Sequence, residues 1–188
     1  MRAEMGFLMR KSRKFFSFVR ALAKERRGVA AIEFALIVPV LAAGIVNATD
    51  IAIYLIDRLQ VENATEMGAQ AAWQTCDLTH IPATTKCSGL NSAVTAAVQR
   101  TTLGTSITLK SGSPAEGYYC VNSSGSLQYV SSVSTKPTDC SVAGTPSNSP
   151  ADYIKVETTY TYAPLFPGLS VADLFDTPIT RTAWMRMG

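Results

Sequence analysis

The sequence has few of the side chains that serve catalysis or metal binding. It contains one histidine, His80, in 188 residues, and its four cysteines include no C-x-x-C pair. Walker, H-E-x-x-H and G-x-S-x-G motifs are absent, and the cysteine spacings lack the close ligand pair of a zinc knuckle. We therefore expect a protein that is not an enzyme and that has no metal site, no cofactor and no small-molecule substrate.

Basic charge is scarce beyond the first 27 residues. Nine of the 17 Lys and Arg residues lie in residues 1–27, together with only two of the 14 acidic residues. The rest of the chain is slightly acidic and has no basic stripe, which argues against nucleic acid as a partner. A basic segment that precedes an apolar span stays in the cytoplasm. The charge distribution therefore predicts a cytoplasmic N-terminus and places the bulk of the chain on the outer side.

An apolar run from Val29 to Val46 contains one charged residue, Glu33. As a helix these 18 residues would span roughly 27 Å, enough to cross a bilayer core. A carboxylate at the centre of such a span costs about 2.5–3.5 kcal/mol, and less near its edge. If the chain were cut after Gly28, the new amine of Val29 would lie four residues from Glu33 and would be mostly cationic at neutral pH. The cut would supply the missing counter-charge.

Other interpretations of this segment remain open. Glu33 could lie in the first helical turn, where an acid is favoured by about 0.3–1 kcal/mol. Gly28 could be a flexible junction. The segment could also be an uncleaved signal anchor, or a secretory signal peptide cut after Val46-Asn47-Ala48, which loosely fits a small-x-small rule.

The order Arg26-Arg27-Gly28, then Glu33-Phe34 and a long apolar run, resembles the class III signal of type IV pilin-like proteins. The closer resemblance is to TadE-like minor pilins, or pseudopilins, of tight-adherence pili. It covers residues 26–75 well and residues 152–187 more loosely, whereas the segment that holds the four cysteines matches no pattern of the family.

The resemblance implies a set of partners and roles. A prepilin peptidase, which is a membrane-embedded aspartic peptidase, would cleave between Gly28 and Val29, so that Glu33 becomes the fifth mature residue. In this family that glutamate matches the N-terminal amine of a neighbouring subunit during assembly. The implied partners are the peptidase, other pilin subunits, the pilus assembly platform and the membrane.

The patterning from Val29 to Trp73 predicts one helix of about 45 residues, apolar first and amphipathic afterwards. We expect its membrane part to cover about residues 29–56 and Pro39 to kink it. Apolar residues recur at helical spacing in the second part: Ile53, Ile56, Ala64, Met67 and Ala71. A face of small residues is expected to pack against the outer domain rather than against another subunit: Ala64, Gly68, Ala71 and Ala72.

The four cysteines all follow the apolar span, which agrees with export. An even number in a modest exported domain predicts two disulfides, for which three connectivities are possible. We favour Cys76–Cys87 and Cys120–Cys140, because each pair brackets turn-rich sequence.

The remaining sequence predicts a helix over 90–101 and strands near 107–109, 118–121, 127–130, 152–162 and 179–187. The predicted fold is α+β, a long N-terminal transmembrane and amphipathic helix followed by a small disulfide-containing antiparallel-sheet domain, as in pilins. The predicted divisions are a cleaved cytoplasmic leader (1–28), the long helix (29–75) and an extracytoplasmic domain (76–188).

These features together predict a minor pilin or pseudopilin in the inner membrane. It would cross the membrane once and take part in assembling a tight-adherence pilus for adhesion and surface attachment, with its C-terminal domain periplasmic or extracellular. The alternative is a single-pass envelope binding or sensor protein with an uncleaved signal anchor.

Overall fold

The computed structural model describes residues 26–76 and 78–188. Most of the predicted leader, residues 1–25, lies outside the described residues. The first element is a 50-residue helix, α1 (Arg26–Thr75), with Pro39 in its interior. The chain forms two compact units, of which the second comprises Asp50–Gly188, so α1 contributes to both. The prediction of one long helix is confirmed.

The second unit adds two short helices and five strands to the end of α1. The helices are α2 (Ala83–Lys86) and α3 (Leu90–Val98). The strands are β1 (Thr108–Leu109), β2 (Ala115–Val121), β3 (Leu127–Ser132), β4 (Ala151–Tyr160) and β5 (Ile179–Arg186).

All the strand pairs are antiparallel, and β4 lies at the centre of the sheet. It pairs with β5 along one edge and with β2 and β1 along the other, while β3 pairs with the far side of β2. This arrangement, together with α1 and two disulfides, confirms the α+β prediction.

Strand β4 shows why the sheet packs on the helices. Its alternate residues, Asp152, Ile154, Val156 and Thr158, are buried, as expected for a strand with one face toward a core. The core beneath this face is formed by apolar residues of α1, α3 and the strands: Val61, Ala64, Ala72, Val94, Val98, Ile107, Ile154 and Val156.

The small residues of α1 allow this close packing. A Cβ atom placed on Gly68 would lie 2.7 Å from Cγ2 of Val98 and 3.3 Å from Cγ1 of Val156. Ala64 and Ala72 are fully buried, whereas Ala71 is only half-buried. The prediction that this face packs against the domain that follows the helix is confirmed for Ala64, Gly68 and Ala72.

The structure differs from the sequence prediction at several boundaries. In the second unit the buried face of α1 runs through Asp50, Asp57 and Thr65, whereas Ile56, the last residue of the predicted membrane part, is exposed. Strand β2 begins three residues earlier than predicted, and α3 ends at Val98 rather than at residue 101.

Two disulfides join the pairs that the sequence favours. Cys76 and Cys87 have a Cα–Cα distance of 5.8 Å, and Cys120 and Cys140 a Cα–Cα distance of 5.7 Å. Cys76 belongs to the main core, whereas Cys120, Cys140 and Ala143 form a second, smaller apolar cluster. The first disulfide therefore connects the end of α1 to the segment that leads into α3.

Candidate functional site

The first part of α1 exposes a continuous set of large apolar side chains. By length and composition α1 is, among the described residues, the one helix that could cross a membrane. The exposed large apolar residues of this first part are Val29, Ile32, Phe34, Leu36, Ile37, Val38, Val40, Leu41 and Ile45.

Glu33 lies among these apolar side chains and is exposed. The ion pairs of the described residues join Glu157 to Lys110 and Lys155, and Glu62 to Arg181, and none includes Glu33. Because α1 is helical from Arg26 onward, no acidic residue lies in its first turn. Glu33 therefore lies beyond the turn in which the helix macrodipole would favour a carboxylate.

Gly28 lies inside α1, where nothing in the structure requires a glycine. A Cβ atom built on Gly28 would meet no atom within 4 Å, and glycine within a helix costs roughly 0.5–1 kcal/mol relative to alanine. Neither close packing nor a left-handed backbone therefore accounts for glycine at this position.

Pro39 lies eleven residues after Gly28, in the middle of the exposed apolar stretch. Proline has no N–H to donate to the carbonyl four residues earlier, which here is that of Ala35. Helix α1 thus brings Gly28, Val29, Glu33 and Pro39 into one short segment, whereas the four cysteines all lie in the second unit.

The second unit contains a polar anchor at Asp50 that sequence reasoning missed. Asp50 is fully buried, and its Oδ1 and Oδ2 accept hydrogen bonds from the main-chain N–H groups of Leu165 (3.0 Å) and Phe166 (3.3 Å). Its carbonyl accepts a hydrogen bond from the hydroxyl of Tyr162 at 3.1 Å. The available signal was a lone acid within an apolar stretch of a predicted helix.

Further contacts of α1 hold the segment 161–178, which we call the junction loop and which connects β4 to β5. The ring of Tyr54 contacts the rings of Tyr162 and Phe175, with centroid distances of 5.1 and 4.6 Å. The Tyr54 hydroxyl donates a hydrogen bond to the carbonyl of Asp176 at 3.3 Å. Asp57 accepts a hydrogen bond at 3.2 Å from the hydroxyl of Tyr160, at the end of β4.

A second buried carboxyl group, Asp152, lies at the other end of β4. It is buried, and neither of its carboxylate oxygens has a hydrogen-bond partner among the described residues. Burial and the neighbouring Glu116 raise the pKa of Asp152 to about 6, although Lys136 opposes the shift. Glu116 accepts hydrogen bonds from the main-chain N–H groups of Ala83 (2.8 Å) and Thr84 (2.7 Å).

The carboxylate of Glu116 is engaged by these N–H groups. Its proximity, added to burial, disfavours the charged form of Asp152. Within the described residues, no group of three or more His, Cys, Asp and Glu side chains is placed to hold a metal ion.

Comparison with known families finds a match within the long helix α1. Residues 28–70 match the family model described as TadE-like protein. No curated protein and no solved structure matches the chain. The family match begins at Gly28, includes Val29, Glu33 and Pro39, and ends before the first cysteine. Over residues 28–70 the chain is thus similar to TadE-like proteins, which confirms the resemblance seen in Gly28, Glu33 and Phe34.

Proposed function

We propose that this protein is a minor pilin or pseudopilin of a tight-adherence pilus, held in the inner membrane by the first part of α1. The observation that carries the proposal is the match to TadE-like proteins, which begins at Gly28. In this proposal the protein has no catalytic activity of its own. The N-terminus is cytoplasmic, and residues 76–188 form a domain on the outer side that joins or decorates the filament.

Membrane insertion is supported by the balance of burial energies in α1. Nine large apolar side chains between Val29 and Ile45 are exposed, and transferring each one out of water contributes up to about 1.5–3 kcal/mol. Because these side chains are already partly covered, their sum is on the order of 10 kcal/mol. That gain exceeds the cost of about 2.5–3.5 kcal/mol for one carboxylate at the centre of a bilayer.

Packing does not explain why residue 28 is a glycine, whereas cleavage after Gly28 by a prepilin peptidase would explain it. Within the described residues there is free space around Gly28. A requirement imposed by the peptidase that binds this segment would account for the absence of a side chain. The leader, residues 1–28, would then be removed, and Val29 would carry the new N-terminal amine.

Glu33 then supplies the recognition between subunits. After cleavage its carboxylate lies in an apolar helix, with no cationic partner among the described residues. The amine of Val29 in a neighbouring subunit can approach it once the helices are staggered by about one turn, roughly 5.4 Å. This pairing would offset the cost of both charges in lipid and would favour ordered assembly.

N-terminal sequencing of the protein extracted from membranes tests the cleavage. We expect Val29 as the first residue, and we expect the Gly28→Leu variant to retain the leader. Gly44→Leu is the matched control, because Gly44 lies in the same helix with no atom within 4 Å of a built Cβ. A native N-terminus upstream of Val29 would favour the uncleaved-anchor alternative, and one at Thr49 would favour secretion.

The role of Glu33 is tested by the Glu33→Gln substitution, which removes the charge and keeps the shape. We expect normal membrane insertion and cleavage but reduced pilus output. Glu66→Gln is the control, because Glu66 is an exposed glutamate farther along the same helix. Wild-type piliation by the Glu33→Gln variant would contradict the pairing role.

A further inference from the structure

The junction loop exposes several large apolar side chains on the surface of the second unit. The exposed fractions are 60% for Leu165, 76% for Leu169 and 85% for Leu174. Phe166 and Val171 are also exposed, and all five belong to one stretch of ten residues. Extended apolar patches on a protein surface mark interaction sites.

The loop is an ordered structure with its apolar side chains directed outward. Ser170 and Ala172 are buried, and Ala172 belongs to the main core. The N–H of Ala172 donates to the Ser170 hydroxyl at 3.1 Å, and the N–H of Gly168 donates to Oδ2 of Asp173 at 2.6 Å. The exposure of the leucines is therefore a property of the folded loop.

The loop is tied to the point at which α1 leaves the apolar run. The N–H groups of Leu165 and Phe166 bind the carboxylate of Asp50, which follows Val46 by only four residues. Four residues span at most roughly 14 Å even when extended. If the bilayer span ends near Val46, where the apolar run ends, and not at residue 56 as the predicted membrane part would have it, the base of the loop is held at the membrane–water boundary.

The charges of the loop identify what it would bind. Residues 161–178 contain no Lys or Arg, and their two charged residues are Asp173 and Asp176. Attraction to anionic headgroups therefore cannot drive binding, and the hydrophobic effect must do so. The chemistry fits the acyl-chain boundary of a neutral lipid surface.

We propose that Leu165, Leu169 and Leu174 insert into the outer side of the same bilayer that α1 crosses. The inference rests on the membrane insertion contained in the proposed function. It adds a second, shallow membrane contact made by the second unit, which the subunit would have to release when it leaves the bilayer for a filament.

The test uses the full chain in phosphatidylcholine vesicles, with a fluorophore on a single introduced cysteine. The cysteines of the described residues are all paired, so the new thiol can be labelled selectively. The positions are Leu174 in the loop, Leu41 in the span and Val142, which is 69% exposed in the second unit outside the loop. Brominated lipid quenches labels in the bilayer, and iodide quenches labels in water.

We expect bromolipid to quench the Leu174 label at least twofold more than the Val142 label, with little effect of added anionic lipid. Quenching of Leu174 by iodide alone, while Leu41 is quenched by bromolipid, would overturn this inference and leave the proposed function intact. Failure of bromolipid to quench Leu41 would overturn both. Protection of the Leu174 label from both quenchers would overturn the membrane insertion of the loop in favour of its contact with a second copy of the chain.

A second variant tests the insertion without a label at Leu174. Leu169→Asn with Leu174→Asn should lower bromolipid quenching of a label at Leu165 at least twofold, and both changed side chains are exposed and outside the core. Unchanged quenching of the Leu165 label would contradict the insertion.

Discussion

At the scale of single residues, two buried carboxyl groups of the second unit have opposite effects on the stability of the fold. Asp50 receives two main-chain N–H donors, whereas Asp152 has no hydrogen-bond partner among the described residues and faces Glu116. Burying a carboxylate costs free energy, which hydrogen-bond donors offset and which is left uncompensated where donors are lacking. The two aspartates therefore predict stability changes of opposite sign.

The Asp50→Ala substitution should lower the free energy of unfolding by about 2–4 kcal/mol, because it leaves two buried N–H groups without an acceptor. Asp50→Asn keeps one acceptor oxygen, so its free energy of unfolding should lie between those of Asp50→Ala and the wild type. Denaturant unfolding of the full chain in detergent measures the effect. The control is Asp176→Asn, an exposed carboxylate in the same loop, and an Asp50→Ala effect no larger than this control would contradict the anchor.

Asp152→Asn should stabilise the protein at neutral pH. Its folded pKa of about 6 lies above the unfolded value of about 3.9, so folding favours the protonated form. The stabilisation from this proton is fully present below pH ~4 and is lost as the pH rises through ~6.

We therefore expect Asp152→Asn to raise the melting temperature more at pH 7.5 than at pH 5, with a gain of about 1–3 kcal/mol at the higher pH. Thermal melts of both proteins at the two pH values measure the difference. Equal gains at pH 5 and pH 7.5 would show that Asp152 is not the titrating group.

At the scale of elements, the contact of α1 with α3 and β4 depends on one glycine. The atoms closest to a Cβ on Gly68 are methyl carbons of Val98, Val156 and Val94. Each belongs to a fully buried side chain of the main core, so none can move away easily. The helix and the sheet are close because Gly68 has no side chain.

Gly68→Ala should therefore lower the free energy of unfolding by about 1–2 kcal/mol, since overpacking outweighs the better helix propensity of alanine. Gly44→Ala, which changes a glycine with no neighbour within 4 Å in the same helix, should change stability by less than about 1 kcal/mol. In a Val98→Ala background, which is itself destabilised, the further cost of Gly68→Ala should be smaller than in the wild type. The absence of any favourable coupling between these two changes would contradict the close contact.

At the scale of the whole molecule, the two disulfides stabilise different regions. Cys76 lies in the main core with Ile154 and Val156, whereas Cys120 and Cys140 form a separate cluster with Ala143. Loops of 11 and 20 residues each correspond to about 3 kcal/mol in a chain-entropy estimate. The two disulfides should therefore contribute similar stabilisation, each to a different part of the fold.

Hydrogen exchange of the double-alanine variants separates these effects. Loss of Cys76–Cys87 should accelerate exchange along β4, because it loosens the core that covers this strand. Loss of Cys120–Cys140 should accelerate exchange mainly between residues 133 and 150. Identical exchange maps for the two variants would contradict the division into two clusters.

Local patterns in the sequence were sufficient for α1, α3 and the strands, although they did not predict the short helix α2. The apolar run determines the exposed first part of α1, the alternation of β4 determines its buried face, and the even number of cysteines after the span indicates two disulfides. Gly28, Glu33 and Phe34 were likewise sufficient for the TadE-like resemblance. Each of these signals depends on residues close together in the chain, so no knowledge of the tertiary structure was needed.

Only the tertiary structure determined which polar residues are buried and what holds the junction loop. Asp50 and its donor Leu165 are 115 residues apart in sequence, and Asp57 and Tyr160 are 103 residues apart. The buried face of a helix therefore follows its distant partners as well as its own apolar spacing. A carboxylate can occupy a core only where folding brings donors to it, and no local pattern contains that information.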